Sequence, residues 1–580
     1  MDQHEDDVLR AVRYDLLTGL PNLSYFFKLG EIAKEKYLAE GKVGVLLYMD
    51  LNGMKSYNYA NSFAEGDKLL QAFAELLAQT FGTEQACHIG ADRFVAFTTM
   101  DNLEEMLNDF LQDAAGINDG KTLPVQIGIY TTGMGEVPVA WAYDRAKVAC
   151  DSLKNTGRSG FEYYSYEMGK DVRRKKYILE NIDRAIREKW ITVYYQPLVR
   201  GVTGKVCDEE SLARWIDPTE GFLSPGEFIP YLENAGLIWK LDLYVLEETL
   251  AKIHRLERDG FHVVPHSINL SRSDFEMCDI VEEIRERVDA SGVARDRITI
   301  EVTESVFGNA FDFMKEQIER FRALGFQVWL DDFGSGYSSI DVLQSIQFDL
   351  VKFDMSFMRR LDQSDNAKII LSELMKMITA LGMDTVCEGV ETEQQVRFLQ
   401  EIGCSKLQGF YFCKPIPYEG ILERNRKGIQ IGFEDPRASD YYETIGRLNL
   451  YDLGMIAGEE SGGEDFFGKV YNTVPMGIIE IREDSARFVR SNPSYRKFFS
   501  RFFGMHMSGT EREYSQYNTA FMHHIVNTCT EQGSKAFYDE KMPDGSVVRS
   551  FARRIGTNPV NGCIAVAVAV LSVSEPPDGT

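Results

Sequence analysis

The feature that most constrains the fold is a series of short apolar segments that alternate with helical patterns between about residues 190 and 425. The predicted strands cover residues 192–195, 263–270, 298–302, 327–330, 350–353 and 385–386. One helix start is marked by the capping box Ser224-Pro-Gly-Glu227. Repeated strand–helix units over a segment of this length are typical of a parallel (β/α)8-type barrel.

Acidic side chains recur at or near the ends of these predicted strands. With one amide and one lysine, the set is Glu210, Asn269, Glu301, Asp331, Asp332, Lys352 and Glu388. The C-terminal ends of parallel barrel strands meet at one rim, so these side chains are expected to converge there. A single carboxylate at a strand end is more often a helix cap or a solvated charge, and the prediction depends on the joint pattern.

Converging carboxylates repel one another unless cations neutralise them. The set contains neither Cys nor His, and oxygen ligands favour Mg²⁺ or Mn²⁺ over zinc. Two such ions would activate a water and stabilise an in-line phosphoryl displacement, with Lys352 holding the water or the developing charge. The residues alone therefore predict a two-metal phosphoesterase.

The same segment carries a series of ordered motifs. They are Tyr194-Tyr-Gln-Pro197, Glu210-Ser-Leu-Ala-Arg-Trp215, Ile268-Asn-Leu-Ser271, Glu301-Val-Thr-Glu304, Asp331-Asp-Phe-Gly-Ser-Gly336, Lys352-Phe-Asp354, Glu388-Gly-Val-Glu391 and Gln408-Gly-Phe410. In this order they resemble the EAL domain, the cyclic di-GMP phosphodiesterase family. Ser211 replaces the signature alanine and Asp208 the usual glycine two residues before Glu210, and neither change removes a metal ligand.

The resemblance implies roles for individual residues. The expected ligands of two Mg²⁺ or Mn²⁺ ions are Glu210, Asn269, Glu301, Asp331, Asp332 and Glu388. The expected catalytic residues are Glu210, Lys352, Glu388, Glu391 and Gln408. The expected nucleotide contacts are Gln196 and Arg214. The expected loop that couples metal binding to dimerisation involves Glu304, Phe333, Gly334, Ser335 and Gly336. The implied product is linear pGpG, and the implied assembly is a homodimer through this domain.

The first 168 residues carry a second set of motifs. They are the phrase at residues 15–22, Asp50-Leu-Asn-Gly-Met-Lys55, Gly66-Asp67 and Gly90-Ala-Asp-Arg-Phe94. They resemble the GGDEF domain, the diguanylate cyclase family, with a ferredoxin-like α/β fold. Arg93 stands where that family has a metal-binding carboxylate, and a guanidinium repels a cation. Ala91 replaces a signature glycine, and Phe81 and Glu84 replace the inhibitory Arg-x-x-Asp. We therefore expect a degenerate domain without cyclase activity.

Positions that resemble nucleotide contacts are retained in this first domain. The expected GTP site comprises Asp50, Asn58, Asp67, Arg93, Lys154 and Arg158. Two interpretations stay open. The domain binds GTP as an allosteric ligand and activates the neighbouring phosphodiesterase, or it is a folding or dimerisation scaffold.

Residues beyond the barrel segment form a third predicted domain. The expected boundaries are 1–168 for the GGDEF domain, 169–189 for a connecting helix, 190–428 for the EAL domain, 429–465 for a linker and 466–575 for the last domain. Val474-Pro-Met-Gly-Ile478, Asn492-Pro-Ser-Tyr495 and the turn Asp544-Gly545 resemble a PAS domain, which is an α+β fold. The candidate haem ligands His506, His523 and His524 are a weaker interpretation than dimerisation or partner contact.

Composition narrows the possible partners and the location. The formal net charge of −26 disfavours DNA or RNA, which proteins bind by neutralising phosphates. The nine cysteines are scattered singly, and the N-terminus lacks the pattern of a signal peptide. No stretch of eighteen apolar residues occurs, so we expect a cytoplasmic protein without a membrane span. Two rival functions are a non-catalytic cyclic di-GMP receptor and, disfavoured by Arg93, a bifunctional cyclase–phosphodiesterase.

Overall fold

The structure is a computed structural model. It describes residues 12–154, 156–334, 339–361, 363–451, 474–482, 485–503, 507, 515–516, 520–542 and 545–574. The chain folds into two compact units, with the division between Ile178 and Leu179. In the described ranges, no helix combines the length and the apolar character that crossing a membrane requires.

The first unit is built on a mixed five-stranded sheet. Its strands are β1 (Gly44–Leu51), β2 (Ala86–Gly90), β3 (Arg93–Thr99), β4 (Val125–Thr131) and β5 (Gly160–Tyr163). Its helices are α1 (Leu23–Ala39), α2 (Met54–Asn61), α3 (Phe63–Phe81), α4 (Leu103–Gly116) and α5 (Val139–Asp151). The strand order is β2-β3-β1-β4-β5, and only β4 and β5 run parallel. Every residue of the central strand β1 is buried, because apolar clusters cover both faces of the sheet.

A long helix, α6 (Tyr166–Arg187), contains the division between the units. The sequence predicts a connecting helix at residues 169–189, and α6 overlaps that range; that it connects two domains stays a prediction.

The second unit begins with a closed barrel. Its strands are β6 (Ile191–Arg200), β7 (Val206–Asp217), β8 (Gly221–Leu223), β9 (His266–Leu270), β10 (Ile298–Thr303), β11 (Gln327–Phe333), β12 (Leu350–Phe353), β13 (Asp384–Cys387) and β14 (Lys406–Leu407). The order β6-β14-β13-β12-β11-β10-β9-β7 closes because β7 also pairs with β6, and β8 extends β7 outside the ring. Strand β6 is antiparallel to both neighbours. The predicted eight-stranded barrel is confirmed, with one strand reversed.

Helices follow most of the barrel strands. They are α7 (Pro225–Asn234), α8 (Ile238–Arg258), α9 (Arg272–Met277), α10 (Ile280–Ser291), α11 (Phe311–Ala323), α12 (Ser339–Ser345), α13 (Met355–Leu361), α14 (Asp365–Ala380), α15 (Glu393–Ile402) and α16 (Tyr418–Arg426). The predicted capping box is present at the start of α7, where the Ser224 backbone N–H donates to Glu227 Oε2 over 2.7 Å. Buried side chains from different strands, Leu198, Trp329, Leu350 and Val386, form an apolar cluster.

The position of Glu210 differs from the prediction. It lies inside the twelve-residue strand β7 and not near a strand end. Only Glu209 and Glu210 pair with β9, and beyond them β7 continues as an extended hairpin with β6 and β8. The strand therefore runs past the point where its parallel pairing in the barrel stops, and Glu210 lies at that point.

The last part of the second unit is an α+β domain. Its strands are β15 (Met476–Arg482), β16 (Ser485–Ser491), β17 (Ser515–Gln516), β18 (Lys535–Lys541), β19 (Val547–Thr557) and β20 (Ile564–Val573). Its helices are α18 (Pro493–Phe503) and α19 (Ala520–Thr528), and α17 (Ser439–Gly446) precedes it. The sheet is antiparallel throughout, in the order β17-β16-β15-β20-β19-β18.

Apolar runs in the sequence predict strands at residues 477–481, 487–489 and 564–573 of this domain, and these strands are present as β15, β16 and β20. The PAS-like assignment and the five domain boundaries stay predictions. Residues 452–465 of the expected linker, His506 and Asp544 lie outside the described residues. His523 is exposed, and His524 lies against the Tyr538 ring with 5.1 Å between ring centroids.

Candidate functional site

The barrel strands bring the predicted polar residues to one end of the sheet. Asn269 and Glu301 are register partners on β9 and β10, and Asp331 pairs with Thr303 on β10. Glu388 and Gln408 come directly after β13 and β14. Since these strands are parallel, the side chains collect at their C-terminal ends.

An irregularity in β11 lets two consecutive aspartates serve one site. In a regular strand, consecutive side chains point to opposite faces. Here the register shifts between Leu330 and Phe333, and Asp332 has a φ of +56°. The Asp332 backbone N–H donates to Asp331 Oδ1 over 2.8 Å. Both carboxylates therefore contribute oxygens to the same group.

Five carboxylates form what we call the acidic cluster: Glu210, Glu301, Asp331, Asp332 and Glu388. Oxygens of Glu210, Glu301 and Asp331 lie within 4.8 Å of one another, and so do oxygens of Asp331, Asp332 and Glu388. Asp331 belongs to both groups. The arrangement offers two adjacent cation positions that share one aspartate.

Lys352 is the cation at the centre of this cluster. Its side chain is fully buried, and Nζ lies 2.7 Å from Glu388 Oε1 and 2.8 Å from Glu301 Oε2. The same atom lies 3.4 Å from Glu210 Oε2 and 3.4 Å from Asp331 Oδ1. Burial disfavours the ammonium form, but the four carboxylates outweigh it and raise the Lys352 pKa well above its usual range. The lysine is therefore held in its charged form.

Amide side chains fix the orientation of Glu210. Asn269 Nδ2 donates to Glu210 Oε1 over 3.0 Å, and Gln408 Nε2 donates to Glu210 Oε2 over 2.7 Å. Gln408 also reaches Gln196 Oε1 over 3.2 Å. Burial acts to raise the Glu210 pKa, but Lys352 and these amides outweigh it and lower that pKa. Glu210 is the carboxylate of the cluster whose charge the protein compensates best.

The other carboxylates are not compensated in this way. Burial raises the pKa of Glu388 to about 8 and that of Asp332 to about 6. Burial also raises the pKa values of Glu301 and Asp331, with Lys352 acting in the opposite direction. One lysine cannot balance five acids, three of them buried and two half-buried, so these acids other than Glu210 hold their protons more tightly than free carboxylates do.

The ligand chemistry fits hard divalent cations. Glu301 Oε1 is buried and has no hydrogen-bond partner among the described residues. A buried oxygen of this kind is costly unless a cation or water contacts it. The donors are carboxylate and amide oxygens, which suit Mg²⁺ or Mn²⁺.

A cavity of about 600 Å³ opens beside the acidic cluster. Six predicted residues line it, namely Gln196, Glu210, Asp331, Glu388, Glu391 and Gln408. The sequence interpretation missed Leu212, Met355, Met358, Arg359, Gly389, Gln395, Gly409 and Phe410. Arg359 comes after β12 and Phe410 after β14. Barrel sites are built from the segments that follow the strands, and this rule could have identified both residues from the sequence.

Several predicted residues lie around the cavity and not in its lining. The half-buried Arg214 guanidinium lies over the Tyr194 ring and donates to the Ala213 carbonyl oxygen over 2.8 Å. Glu304 and Phe333 are buried. Gly334 has a φ of +91°, and a Cβ there would lie 2.6 Å from the Phe357 ring. Ser335 and Gly336 lie outside the described residues.

The predicted GTP site of the first unit is brought together only in part. Asp50 and Arg93 are register partners on β1 and β3, and Lys154 Nζ lies 3.7 Å from Asp50 Oδ2. Burial and Asp92 raise the Asp50 pKa. Two basic groups therefore stand beside a buried carboxylate at the end of β1.

The remaining predicted GTP contacts are more dispersed. Asn58 Oδ1 is buried without a hydrogen-bond partner among the described residues. A Cβ at Gly66 would lie 2.0 Å from that oxygen, so the Asn58 side chain occupies the space beside Gly66. Asp67 and Arg158 are exposed.

Both the first unit and the barrel region match known protein families. Residues 12–160 match the model of the diguanylate cyclase, GGDEF domain, and residues 179–415 match that of the EAL domain. A cyclic di-GMP phosphodiesterase, NbdA of Pseudomonas aeruginosa, is 28% identical over 73% of this chain and 55% of its own length. MucR of the same species, a bifunctional diguanylate cyclase/cyclic di-GMP phosphodiesterase, is 29% identical over 72% of this chain and 62% of its own length.

A solved structure is also similar to part of this chain. The phosphodiesterase of PaMucR in complex with c-di-GMP is 32% identical, covers 42% of this chain and 98% of its own, and aligns with a TM-score of 0.40. The chain spans little more than half the length of the first curated relatives, between 52% and 62%. The two family models together show that this chain carries a GGDEF domain followed by an EAL domain.

Proposed function

We propose that the EAL domain hydrolyses cyclic di-GMP to linear pGpG with two Mg²⁺ or Mn²⁺ ions. The observation that carries the proposal is the acidic cluster: five carboxylates around one buried lysine, beside a cavity of about 600 Å³. The EAL model and the activity named for two relatives support the choice of substrate.

The ligand sets follow from the two groups of oxygens. Glu210, Asn269, Glu301 and Asp331 would hold one ion, and Asp331, Asp332 and Glu388 the other. Bound there, divalent cations make a water more acidic and stabilise charge on the phosphoryl oxygens.

The reaction adds water across one phosphodiester bond. The water oxygen forms a bond to phosphorus, the bond from phosphorus to the ribose 3′ oxygen breaks, and that oxygen takes a proton. Lys352, held charged by its carboxylates, is placed to orient the nucleophilic water or to stabilise negative charge. Gln408 and Asn269 keep Glu210 in one orientation, and Glu391 lines the cavity.

The cavity also carries groups suited to a nucleotide. Arg359 supplies a cation for phosphate, and the 57% exposed Phe410 ring offers a face on which a base can stack. Gln196 lines the same cavity, and Arg214 lies nearby as a further phosphate or base contact. The loop after β11, together with Phe333 at the end of β11 and Glu304 directly after β10, would couple metal binding to a homodimer.

The GGDEF domain is proposed to bind GTP without cyclising it and to activate the phosphodiesterase. Arg93 and Lys154 beside Asp50 support phosphate binding, and Arg93 opposes a metal ion there. A purely structural role for this domain predicts no effect of GTP.

The test is hydrolysis of cyclic di-GMP by the full chain, followed by separation of pGpG, with Mg²⁺, Mn²⁺ or EDTA. We expect product only with a divalent cation, and more product when GTP is added. Glu210→Gln should remove it. Glu276→Gln, which changes an exposed glutamate on α9, is the matched control and should not.

A receptor that binds cyclic di-GMP without cleaving it is the second candidate. The four carboxylate contacts of Lys352 favour it, because they show that the site can partly neutralise itself without an ion. Measurable binding of cyclic di-GMP without pGpG in either metal would select the receptor and reject the enzyme.

A further inference from the structure

The C-terminal α+β domain is fixed to the barrel through α17. An apolar cluster joins the two regions, and its buried members are Val202, Tyr441, Ile445, Leu450, Met476, Ile478, Val489 and Ala565. The buried Arg490 guanidinium donates to the carbonyl oxygens of Ile445 and Gly446, each over 2.7 Å. It also donates to the carbonyl oxygen of Leu448 over 2.6 Å. The two regions therefore share a packed interface.

A cavity of about 830 Å³ continues this interface. One wall is the end of α14, with Met375, Thr379 and Ala380, and the opposite wall includes Phe551 and Val568 of the sheet. Its volume lies in the range of small-molecule sites, about 300–1,000 Å³. Most of the lining side chains are apolar, so the cavity suits a ligand with an apolar body.

The charged residues of the lining all have the same sign. They are Lys376, Arg447, Arg553 and Arg554, and no Asp or Glu is among the lining residues that the structure describes. This is unexpected in a chain whose formal net charge is −26. Lys376 and Arg447 already have carboxylate partners, Glu373 at 3.1 Å and Asp384 at 3.4 Å.

The two β19 arginines that line the cavity, Arg553 and Arg554, have fewer carboxylate partners than Lys376 and Arg447. Arg553 is exposed, and no carboxylate pairs with it in the described part of the chain. Arg554 Nη1 donates to the Cys529 carbonyl oxygen over 3.1 Å, and its Nη2 donates to Thr557 Oγ1 over 2.7 Å. Arg554 Nε and Asn449 Nδ2 are buried without hydrogen-bond partners among the described residues. The unsatisfied groups are donors, so they call for an acceptor.

We propose that this cavity binds a small amphiphilic anion, with a carboxylate or phosphate head group on an apolar body. The head group lies beside Arg553 and Asn449, and the body lies against α14 and the sheet. The site is separate from the acidic cluster. Helix α14 ends at Ala380, just before β13 begins at Asp384, whereas Glu388 follows the other end of β13. The proposal does not depend on the hydrolytic function.

The test is calorimetric titration of the full chain with decanoate, decyl phosphate and decanol. Both anions are expected to bind, and decanol at least about tenfold more weakly because it lacks charge-assisted contacts. The tighter of the two anions identifies the preferred head group.

Three variants locate the site. Arg553→Ala should weaken binding of the anions about tenfold. Ala380→Trp, at an exposed position of the lining, should abolish binding by filling the cavity. Arg549→Ala removes another exposed arginine of β19 outside the lining and should change nothing.

Three results would overturn the proposal: no binding of either anion, equal binding of decanol, or binding that survives Ala380→Trp. Each variant alters an exposed side chain, and circular dichroism checks that the fold is retained.

Discussion

Three consecutive carboxylates of β7 face three different surroundings, and the comparison separates structural charge from functional charge. Asp208 lies 2.8 Å from Lys406 Nζ, Glu209 lies 2.6 Å from Lys252 Nζ, and Glu210 lies 3.4 Å from Lys352 Nζ. All three acids are buried and each has a lysine. What differs is the number of other carboxylates that contact the same lysine.

Asp208 and Glu209 each lie in a group whose cations balance the charge of its carboxylates. Burial acts to raise the Glu209 pKa, but Lys252 and His266 outweigh it and lower that pKa to about 2. Lys406 contacts Asp208 and Asp384, and Arg447 adds a second cation at Asp384. Charge of this kind holds strands and helices together without any ion.

Glu210 belongs to a group in which one lysine serves several acids. Four carboxylates contact Lys352, and the pKa of Glu388 is raised to about 8 by burial. The protein keeps this imbalance in a buried position, where it costs stability. We infer that divalent cations neutralise the remaining charge of the acidic cluster. The groups around Glu209 and Asp208 need no further cation.

The largest expected difference is in turnover. Glu210→Gln should lower cyclic di-GMP hydrolysis by about 10³-fold or more, because it removes a cation ligand. Glu209→Gln should leave turnover within a fewfold but destabilise the fold, since Lys252 loses its partner. Steady-state kinetics and urea unfolding of both variants measure the two effects. Equal loss of turnover in folded samples of both variants would remove the distinction between neighbouring acids.

The next difference is in stability and its rescue by metal. In EDTA, Lys352→Met and Lys406→Met should each lower the free energy of unfolding by about 3–5 kcal/mol, because each leaves buried carboxylates unpaired. Added Mn²⁺ should restore most of the loss in Lys352→Met alone, since only the rim can gather an ion. Denaturant titrations with and without Mn²⁺ measure this. Rescue of both variants to the same extent would mean that the two groups do not differ.

A smaller effect concerns the acid pair Asp242 and Asp274, which forms no ion pair with a cation among the described residues. Burial raises the Asp274 pKa to about 6, and burial together with Asp274 raises that of Asp242 well above its usual range. Folding therefore takes up protons from about pH 4 to at least pH 6, and the free energy of unfolding falls as pH rises through that window. Asp242→Asn should make the free energy of unfolding depend less on pH and should raise it by about 1–2 kcal/mol at pH 7.

Unfolding of the wild type and Asp242→Asn at pH 5 and pH 7.5 measures this difference. Glu276→Gln, an exposed change on α9, is the control and should follow the wild type. If the free energy of unfolding of Asp242→Asn equals that of the wild type at both pH values, the acid pair does not destabilise the protein in solution.

Much of the barrel and its rim could be predicted from sequence. Strands β12 and β20 have the predicted bounds, because continuous apolar runs define them. Glu301, Asp331 and Glu388 were placed together by the rule for parallel strand ends, and the structure brings them together. Glu210 was also placed at this rim. The sequence did not show that its strand continues past the rim, because local spacing does not reveal where a hairpin extends beyond a barrel.

Other parts of the site carry no local signal. Arg359 and Phe410 line the cavity from segments that follow strands, where no periodic pattern marks a side chain as facing inward. Strand β19 was missed because its outward arginines interrupt the apolar residues, although Val548, Ser550 and Ala552 alternate as a strand requires. The larger cavity depends on segments far apart in the chain, and only packing brings them together.

The most direct test of the cation requirement is the number of Mn²⁺ ions that the full chain binds, measured by electron paramagnetic resonance of free Mn²⁺. About two ions per chain are expected at the rim. The double variant Glu301→Gln with Asp331→Asn should lose both. Asp242→Asn, which removes a carboxylate elsewhere in the barrel domain, should keep both. Absence of Mn²⁺ binding at millimolar concentration, or binding that survives the double variant, would contradict the account.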